Sequence, residues 1–108
     1  MAWFDCPYLH GDVELTDERA AHIAIRHPEL LPKHLDQLKL TLADPDEVRI
    51  DPDYPRTRLF VRWFAGLLGG KMVVVAVVDD PPPVTRHWIV TALAANRPPR
   101  GDLQWKRP

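Results

Sequence analysis

Cysteine is almost absent from the sequence: Cys6 is the only one among 108 residues, so no intramolecular disulfide can form. The chain also lacks an uninterrupted apolar run of about 18 residues, the shortest that indicates a membrane-spanning helix. No signal-peptide pattern is recognisable. Together these absences predict a domain that works in the reducing cytoplasm and does not associate with a membrane.

An excess of charge of either sign is missing as well. Lys and Arg number 14 and Asp and Glu number 15, which leaves a formal net charge of -1. The whole chain therefore has no general attraction to nucleic acid, and a polyanion site must come from local clusters of Arg and Lys. The sequence has no Gly-rich phosphate loop, no cysteine beside an obvious base, and no recognisable pair of carboxylates at a strand end.

The composition is that of a folded protein. Hydrophobic residues make up 45% of the chain, charged residues make up 27%, and there are four tryptophans. A disordered chain has fewer apolar residues and usually a larger net charge. The length suits one core, and no repeat or low-complexity tract divides the chain. We therefore expect a single domain over residues 1–108.

The first predicted helix follows a strong start signal. Thr16 is a good N-cap, and the negative charge of Asp17 suits a helix N-terminus. The residue before a proline avoids the helical region, so Pro28 sets the end of this helix at Arg26 or His27. A second helix is predicted from about Leu31 to Ala43, because apolar residues recur there at helical spacing.

The rest of the chain predicts strands. Alternating residues indicate strands over 57–64 and 84–92, and the apolar run over 71–78 indicates a central strand between them. Shorter strands are expected near 47–51 and 103–106, and residues 1–15 are expected to form a lead-in with a turn. The predicted fold is α+β, with two N-terminal helices packed on one face of a mostly antiparallel β-sheet. The helix residues expected in the core are Ala20, Ile23, Leu35, Leu38 and Leu42.

The segment His22–Leu30 contains two histidines and an arginine close to the end of the first predicted helix. His27 lies on the same side of the helix as the apolar residues and near the negative end of the helix dipole, which suits a residue that exchanges protons near neutral pH. The structural alternative is that His27 only caps the helix. A metal site is not expected, because a spacing of five turns His22 and His27 about 140° apart on a helix, and Cys6 and His10 are too few to complete one.

Two cations and a hydroxyl are predicted near the ends of neighbouring strands. Lys71 begins the central strand, Arg62 lies near the end of the strand before it, and Thr91 lies near the end of the strand after it. In antiparallel neighbours these ends lie side by side. A histidine with two cations suits cleavage of an RNA phosphodiester without a metal. Alternatively, these are ordinary strand and surface residues, as is Arg58.

Several short motifs resemble those of the small phage-associated nucleases with the barnase, EndoU, colicin and RelE-like (BECR) fold. The most specific is Arg-His-Pro-Glu-Leu at residues 26–30. The others are Leu-Thr-Asp-Glu-Arg at 15–19, Asp-Pro-Asp-Glu-Val at 44–48, the strand that begins at Lys71, and Trp-Ile-Val-Thr-Ala at 88–92. They occur in the expected order over most of the chain.

The resemblance implies a metal-independent ribonuclease without a cofactor, either a toxin or a phage-encoded enzyme, which cleaves RNA by histidine acid–base transesterification. It implies that His27 transfers protons. It further implies that Lys71, Arg62 and Thr91 bind phosphate or stabilise the transition state. The residues expected to help bind substrate are His22, Arg26 and Arg58.

Partners other than RNA are also expected. A toxin would have an antitoxin or immunity protein as its partner. A short last strand at Leu103–Trp105, with Trp105 at its rim, would offer an edge for a homodimer or a partner strand, which Lys106 and Arg107 would only partly discourage. The alternative function is a non-catalytic binding or regulatory protein on the same scaffold.

Overall fold

The structure is a computed structural model that describes residues 1–108. It contains two helices and one seven-stranded sheet, with a 3₁₀ turn at Pro7–Leu9. The helices are α1 (Asp17–Arg26) and α2 (Leu35–Ala43). The strands are β1 (Ala2–Cys6), β2 (Gly11–Leu15), β3 (Glu47–Ile50), β4 (Thr57–Phe64), β5 (Lys71–Asp79), β6 (His87–Ala95) and β7 (Asp102–Lys106).

The sheet is mixed, and its strand order is β1-β2-β6-β5-β4-β3-β7. All neighbouring strands are antiparallel except β2 and β6, which run parallel and meet where Glu14 lies opposite Trp88. Central β5 is the fourth of the seven strands, as predicted. The predicted arrangement of two N-terminal helices on a mostly antiparallel sheet is wrong, because two strands precede the helices and one of them adds a parallel pairing.

The predicted lead-in is a β-hairpin. Along β1 the side chains of Phe4 and Cys6 are buried, whereas those of Trp3 and Asp5 are exposed, which is the alternation of a strand with one face on the core. His10 adopts a left-handed conformation, with φ of 57°, and turns the chain back into β2. This alternation of burial is not visible in the sequence, because four of the five residues of β1 are apolar and one of them, Trp3, is exposed.

The first helix agrees with its prediction. The Thr16 hydroxyl accepts a hydrogen bond from the backbone N–H of Arg19 at 3.1 Å, and the helix ends at Arg26. The second helix begins later than expected, at Leu35, whose side chain is 39% exposed and not buried as predicted. Leu30 and Leu31, in the turns before α2, enter the core instead.

Most of the core lies on one face of the sheet, which we call the helix-side face. Val73, Val75 and Val77 of β5 point to this face and share a cluster with Ile23 of α1 and Leu38 of α2. The opposite face, which we call the open face, carries a smaller cluster of Leu59, Val61, Val74 and Ala76. Neither helix is long and apolar enough to cross a membrane.

The edge strand β7 differs from its prediction in one respect. Trp105 is half-buried and packs near the ring of Tyr8, with 6.0 Å between ring centroids, so no tryptophan is exposed at the rim of this edge. The pairing of β7 with β3 is also irregular between Val48 and Arg49. A bulge at a sheet edge discourages pairing with another strand. Dimerisation through this edge stays a prediction.

Candidate functional site

Arg62 and Lys71 lie at the same end of the helix-side face. Arg62 is opposite Val73 and Lys71 is opposite Phe64, so the two cations are diagonal neighbours across β4 and β5. Such neighbours are about 7–8 Å apart at the backbone, within reach of long side chains. The sheet register therefore brings these two predicted site residues together.

Both cations have partners within the protein. Arg62 Nη1 donates to the backbone oxygen of Asp44 at 2.6 Å and to Asp44 Oδ2 at 2.9 Å, at the end of α2. This hydrogen bond from Arg62 lowers the pKa of the Asp44 carboxyl below its ordinary value. Lys71 Nζ donates to Asn96 Oδ1. Arg62 thus ties the end of α2 to β4, and Lys71 ties β5 to the chain after β6.

Thr91 lies on the open face, away from Arg62 and Lys71. It is opposite Ala76, whereas Ile89 is opposite Val77, so Val90 between them is an extra residue that forms a β-bulge. A bulge disrupts the alternation of side chains along a strand. Strict alternation would have placed Thr91 on the helix-side face with Ile89. The bulge at Val90 turns Thr91 to the open face instead.

His27 is the C-cap of α1. Its backbone N–H donates to the Ile23 carbonyl at 2.6 Å, and its ring Nδ1 is 3.5 Å from Glu29 Oε1. It forms no hydrogen bond or ion pair with Arg62 or Lys71. The other carboxylate oxygen of Glu29 is buried without a hydrogen-bond partner. Sequence reasoning missed Glu29, although it belongs to the same five-residue motif as His27.

The remaining predicted binding residues are separated. His22 and Arg26 are exposed on α1. Arg58 is on the helix-side face opposite Val77, four residues from Arg62, which is about 13 Å along the strand. The structure therefore does not gather the predicted histidines, cations and threonine around one pocket.

Three ionisable side chains contact one another at the other end of the sheet, and we call them the rim cluster: Arg58, Asp79 and His87. Asp79 ends β5 directly opposite His87, which begins β6. Asp79 Oδ1 is 2.6 Å from His87 Nδ1, and Asp79 Oδ2 accepts a hydrogen bond from Arg58 Nη1. Because a carboxylate only accepts, Nδ1 must carry the hydrogen, and the neutral ring then has its lone pair on Nε2.

Gln104 of β7 binds the Arg58 side chain of the rim cluster. Gln104 Oε1 accepts hydrogen bonds from Arg58 Nε at 3.1 Å and from the Tyr8 hydroxyl at 2.9 Å. The Tyr8 ring packs edge-on against buried Phe60, with 5.8 Å between centroids. The core thus anchors the chain of contacts that positions Arg58 and, through Asp79, orients His87.

The rim cluster is partly exposed to solvent. The side chains of His87, Asp79 and Arg58 are 23%, 25% and 26% exposed, and they lie on the sheet rim outside the surface grooves. Sequence reasoning assigned His87 no role. A signal was available, since a short proline-rich connection between two antiparallel strands places the end of one opposite the start of the next.

Neither the single cysteine nor a cluster of metal ligands provides an alternative site. Cys6 is fully buried, and burial raises the pKa of its thiol to about 11, so the thiolate is not available near neutral pH. No group of three His, Cys, Asp or Glu side chains is arranged to hold a metal ion.

Comparison of the chain with protein-family models, curated proteins and solved structures finds no match. The roles of the site residues therefore rest on the geometry of this chain. Two histidine–carboxylate pairs emerge from that geometry, His87 with Asp79 and His27 with Glu29. The first has the shorter contact and an arginine on the same carboxylate.

Proposed function

We propose that the chain is a metal-independent ribonuclease-like domain of the cytoplasm that uses His87 as its acid–base group. The single observation that carries the proposal is the 2.6 Å contact between His87 Nδ1 and Asp79 Oδ1, with Arg58 bound to the same carboxylate. A carboxylate that fixes the tautomer and orientation of a histidine is a recurring feature of acid–base and nucleophilic catalysis.

In the proposed reaction the neutral His87 ring accepts the proton of an RNA 2′-hydroxyl at Nε2. The 2′-oxygen attacks the adjacent phosphorus, the bond from phosphorus to the 5′-oxygen breaks, and the 5′-oxygen takes a proton from water. The hydroxide left from that water takes the proton from His87 Nε2, which restores the neutral ring. The products are a 2′,3′-cyclic phosphate and a 5′-hydroxyl. Arg58 Nη2 has no partner in the protein and would donate to a phosphoryl oxygen as charge develops on it.

The position of the rim cluster outside the surface grooves supports a polymer as substrate. Small-molecule sites usually enclose most of their ligand, whereas these three side chains lie on a rim. A strand of RNA can cross such a rim without being enclosed. If the domain acts as a toxin, an antitoxin or immunity protein would inhibit it by covering this rim.

The test is cleavage of RNA by purified protein in the presence of a chelator. His87→Ala should reduce the rate by about a hundredfold to ten-thousandfold, the usual contribution of a general acid or base. Asp79→Asn should reduce it as well, because an amide no longer requires His87 Nδ1 to be the donor. ¹⁵N NMR of the imidazole should show this change of tautomer, which a merely structural role for Asp79 does not predict.

His27→Ala is the matched control, because it removes the other carboxylate-paired histidine. We expect it to retain most of the activity. Loss of cleavage in His27→Ala and Glu29→Gln, with His87→Ala still active, would transfer the function to the site predicted from the sequence. No chelator-resistant cleavage by the unaltered protein would overturn the enzyme proposal in favour of a non-catalytic binding or regulatory protein.

A further inference from the structure

A groove on the open face borders the same strand ends as the rim cluster, on the opposite side of the sheet. Its volume is about 380 Å³, near the lower end of the range of ligand-sized pockets. Its lining is mixed: the floor is apolar, one wall is aromatic, and three side chains are polar. The lining residues are Asp51, Tyr54, Thr57, Ala76, Val78, Val90 and Thr91.

The polar side chains of this groove have unused hydrogen-bonding capacity. The hydroxyls of Thr57 and Thr91 form no hydrogen bond within the protein. Asp51 Oδ1 accepts from the backbone N–H groups of Asp53 at 2.8 Å and Tyr54 at 3.2 Å, whereas Asp51 Oδ2 accepts nothing. One carboxylate oxygen and two hydroxyls therefore remain available to a ligand.

The remaining surfaces suit a flat, aromatic ligand. The Tyr54 side chain is 67% exposed, which leaves its ring available for stacking, and Ala76, Val78 and Val90 provide an apolar floor. Single-stranded RNA is commonly recognised by stacking of a base on an aromatic ring and by hydrogen bonds to the edge of that base.

The groove and the rim cluster are adjacent in the chain on two strands. Thr57 in the groove precedes Arg58 in the cluster, and Val78 in the groove precedes Asp79. Successive residues of a strand point to opposite faces. The groove and the rim cluster therefore lie on opposite faces of the same strand ends, and the sugar and phosphate of a base in the groove would have to cross these ends to reach His87.

We propose that the groove binds a nucleobase that carries an exocyclic amino group in preference to uracil. This inference names the substrate preference of the proposed ribonuclease and rests on that function. Asp51 Oδ2 is an acceptor, so it pairs with the N4 amino group of cytosine, whereas uracil has a carbonyl oxygen at the same place. Two acceptors facing each other form no hydrogen bond, which lowers affinity.

The test compares the binding of cytidine and uridine monophosphate, which differ at this edge by one amino group and one oxygen. In NMR titrations we expect cytidine monophosphate to bind about tenfold more tightly. The largest shifts should fall on the backbone amides of Thr57 and Thr91. Tyr54→Ala should weaken both nucleotides, because it removes the stacking surface.

Asp51→Asn should shift the preference of the groove from cytidine toward uridine monophosphate. The Asn oxygen can still accept from the backbone N–H groups of residues 53 and 54, and its NH₂ group then takes the place of Asp51 Oδ2. Affinity for uridine monophosphate should rise and affinity for cytidine monophosphate should fall. Asp53→Asn is the control, because Asp53 does not line the groove.

The outcomes separate this inference from the proposed function. Selective cytidine binding in the groove by a protein that cleaves no RNA would support the base site and overturn only the catalytic proposal. Equal affinity for the two nucleotides, or shifts confined to residues outside the groove, would overturn the base site even if RNA is cleaved at the rim cluster. An Asp51→Asn variant with unchanged preference would also overturn it.

Discussion

Replacement of Arg86 by methionine should destabilise the folded protein by about 3 kcal/mol, although Arg86 is at the surface. Its guanidinium binds Glu14 through Nε at 2.7 Å and Nη2 at 2.6 Å, measured to Oε1. The Glu14 side chain is only 8% exposed, whereas that of Arg86 is 42% exposed. Glu14 also lies opposite Trp88 at the parallel junction of β2 and β6.

The magnitude follows from the carboxylate that the substitution leaves behind. Removal of one partner of a buried ion pair typically costs about 3–5 kcal/mol, because the remaining charge is desolvated and unpaired. The partial exposure of Arg86 places the expected loss at the lower end of this range. Methionine keeps much of the volume of the side chain, so little of the loss should come from packing. For a domain of this size, about 3 kcal/mol corresponds to roughly 12 °C in Tm.

The assay is a double-mutant cycle followed by urea and thermal unfolding, with circular dichroism as the signal. Glu14→Met combined with Arg86→Met removes both charges and should recover most of the stability that Arg86→Met loses, since no charge is left buried. Losses that simply add in the double variant, or a loss below about 1 kcal/mol for Arg86→Met alone, would refute the reasoning.

Two further predictions concern single positions. Gly101→Ala should lower the free energy of unfolding by at least about 2 kcal/mol, because Gly101 has φ of +130° and an added Cβ would lie 2.3 Å from the Ile50 carbonyl oxygen. Urea unfolding measures this loss, with Gly11→Ala as the control because a Cβ there meets nothing within 4 Å. Equal losses of stability in the two variants would contradict the prediction. The Cys6 thiol should resist thiol reagents in the folded protein. Burial raises its pKa from 9.0 to about 11, so it should stabilise the fold fully below pH 9 and lose that contribution as the pH rises toward 11. Unfolding free energies measured from pH 8 to 11 should fall more steeply for the unaltered protein than for Cys6→Ala, and parallel curves would contradict this.

The parts of the site that could be predicted from the sequence were those set by short-range geometry. Alternation along β4 and the turn before β5 predicted that Arg62 and Lys71 lie close together, and the register agrees. The partners of these residues could not be predicted. Whether Arg62 faces a substrate or binds Asp44 depends on where α2 ends above the sheet, and that position results from the packing of the whole core.

The contacts within the rim cluster could not be predicted from the sequence either. His87 and Asp79 are separated by seven residues of loop, and their contact requires the register in which the two are directly opposite. A shift by one residue would turn one of them to the other face. The bulge at Val90 changes the face of Thr91 in the same manner, and no local signal in that stretch of β-forming residues marks it.

The sequence by itself determined the elements whose signals are local. Helix α1 follows from the cap at Thr16 and the stop at Pro28, and central β5 follows from an apolar run too long to be exposed. Only the tertiary structure decided how the N-terminal hairpin joins the sheet and which polar groups meet. Those contacts join residues far apart in the chain, and their free energy comes from the shared burial of whole faces, which no short window of sequence contains.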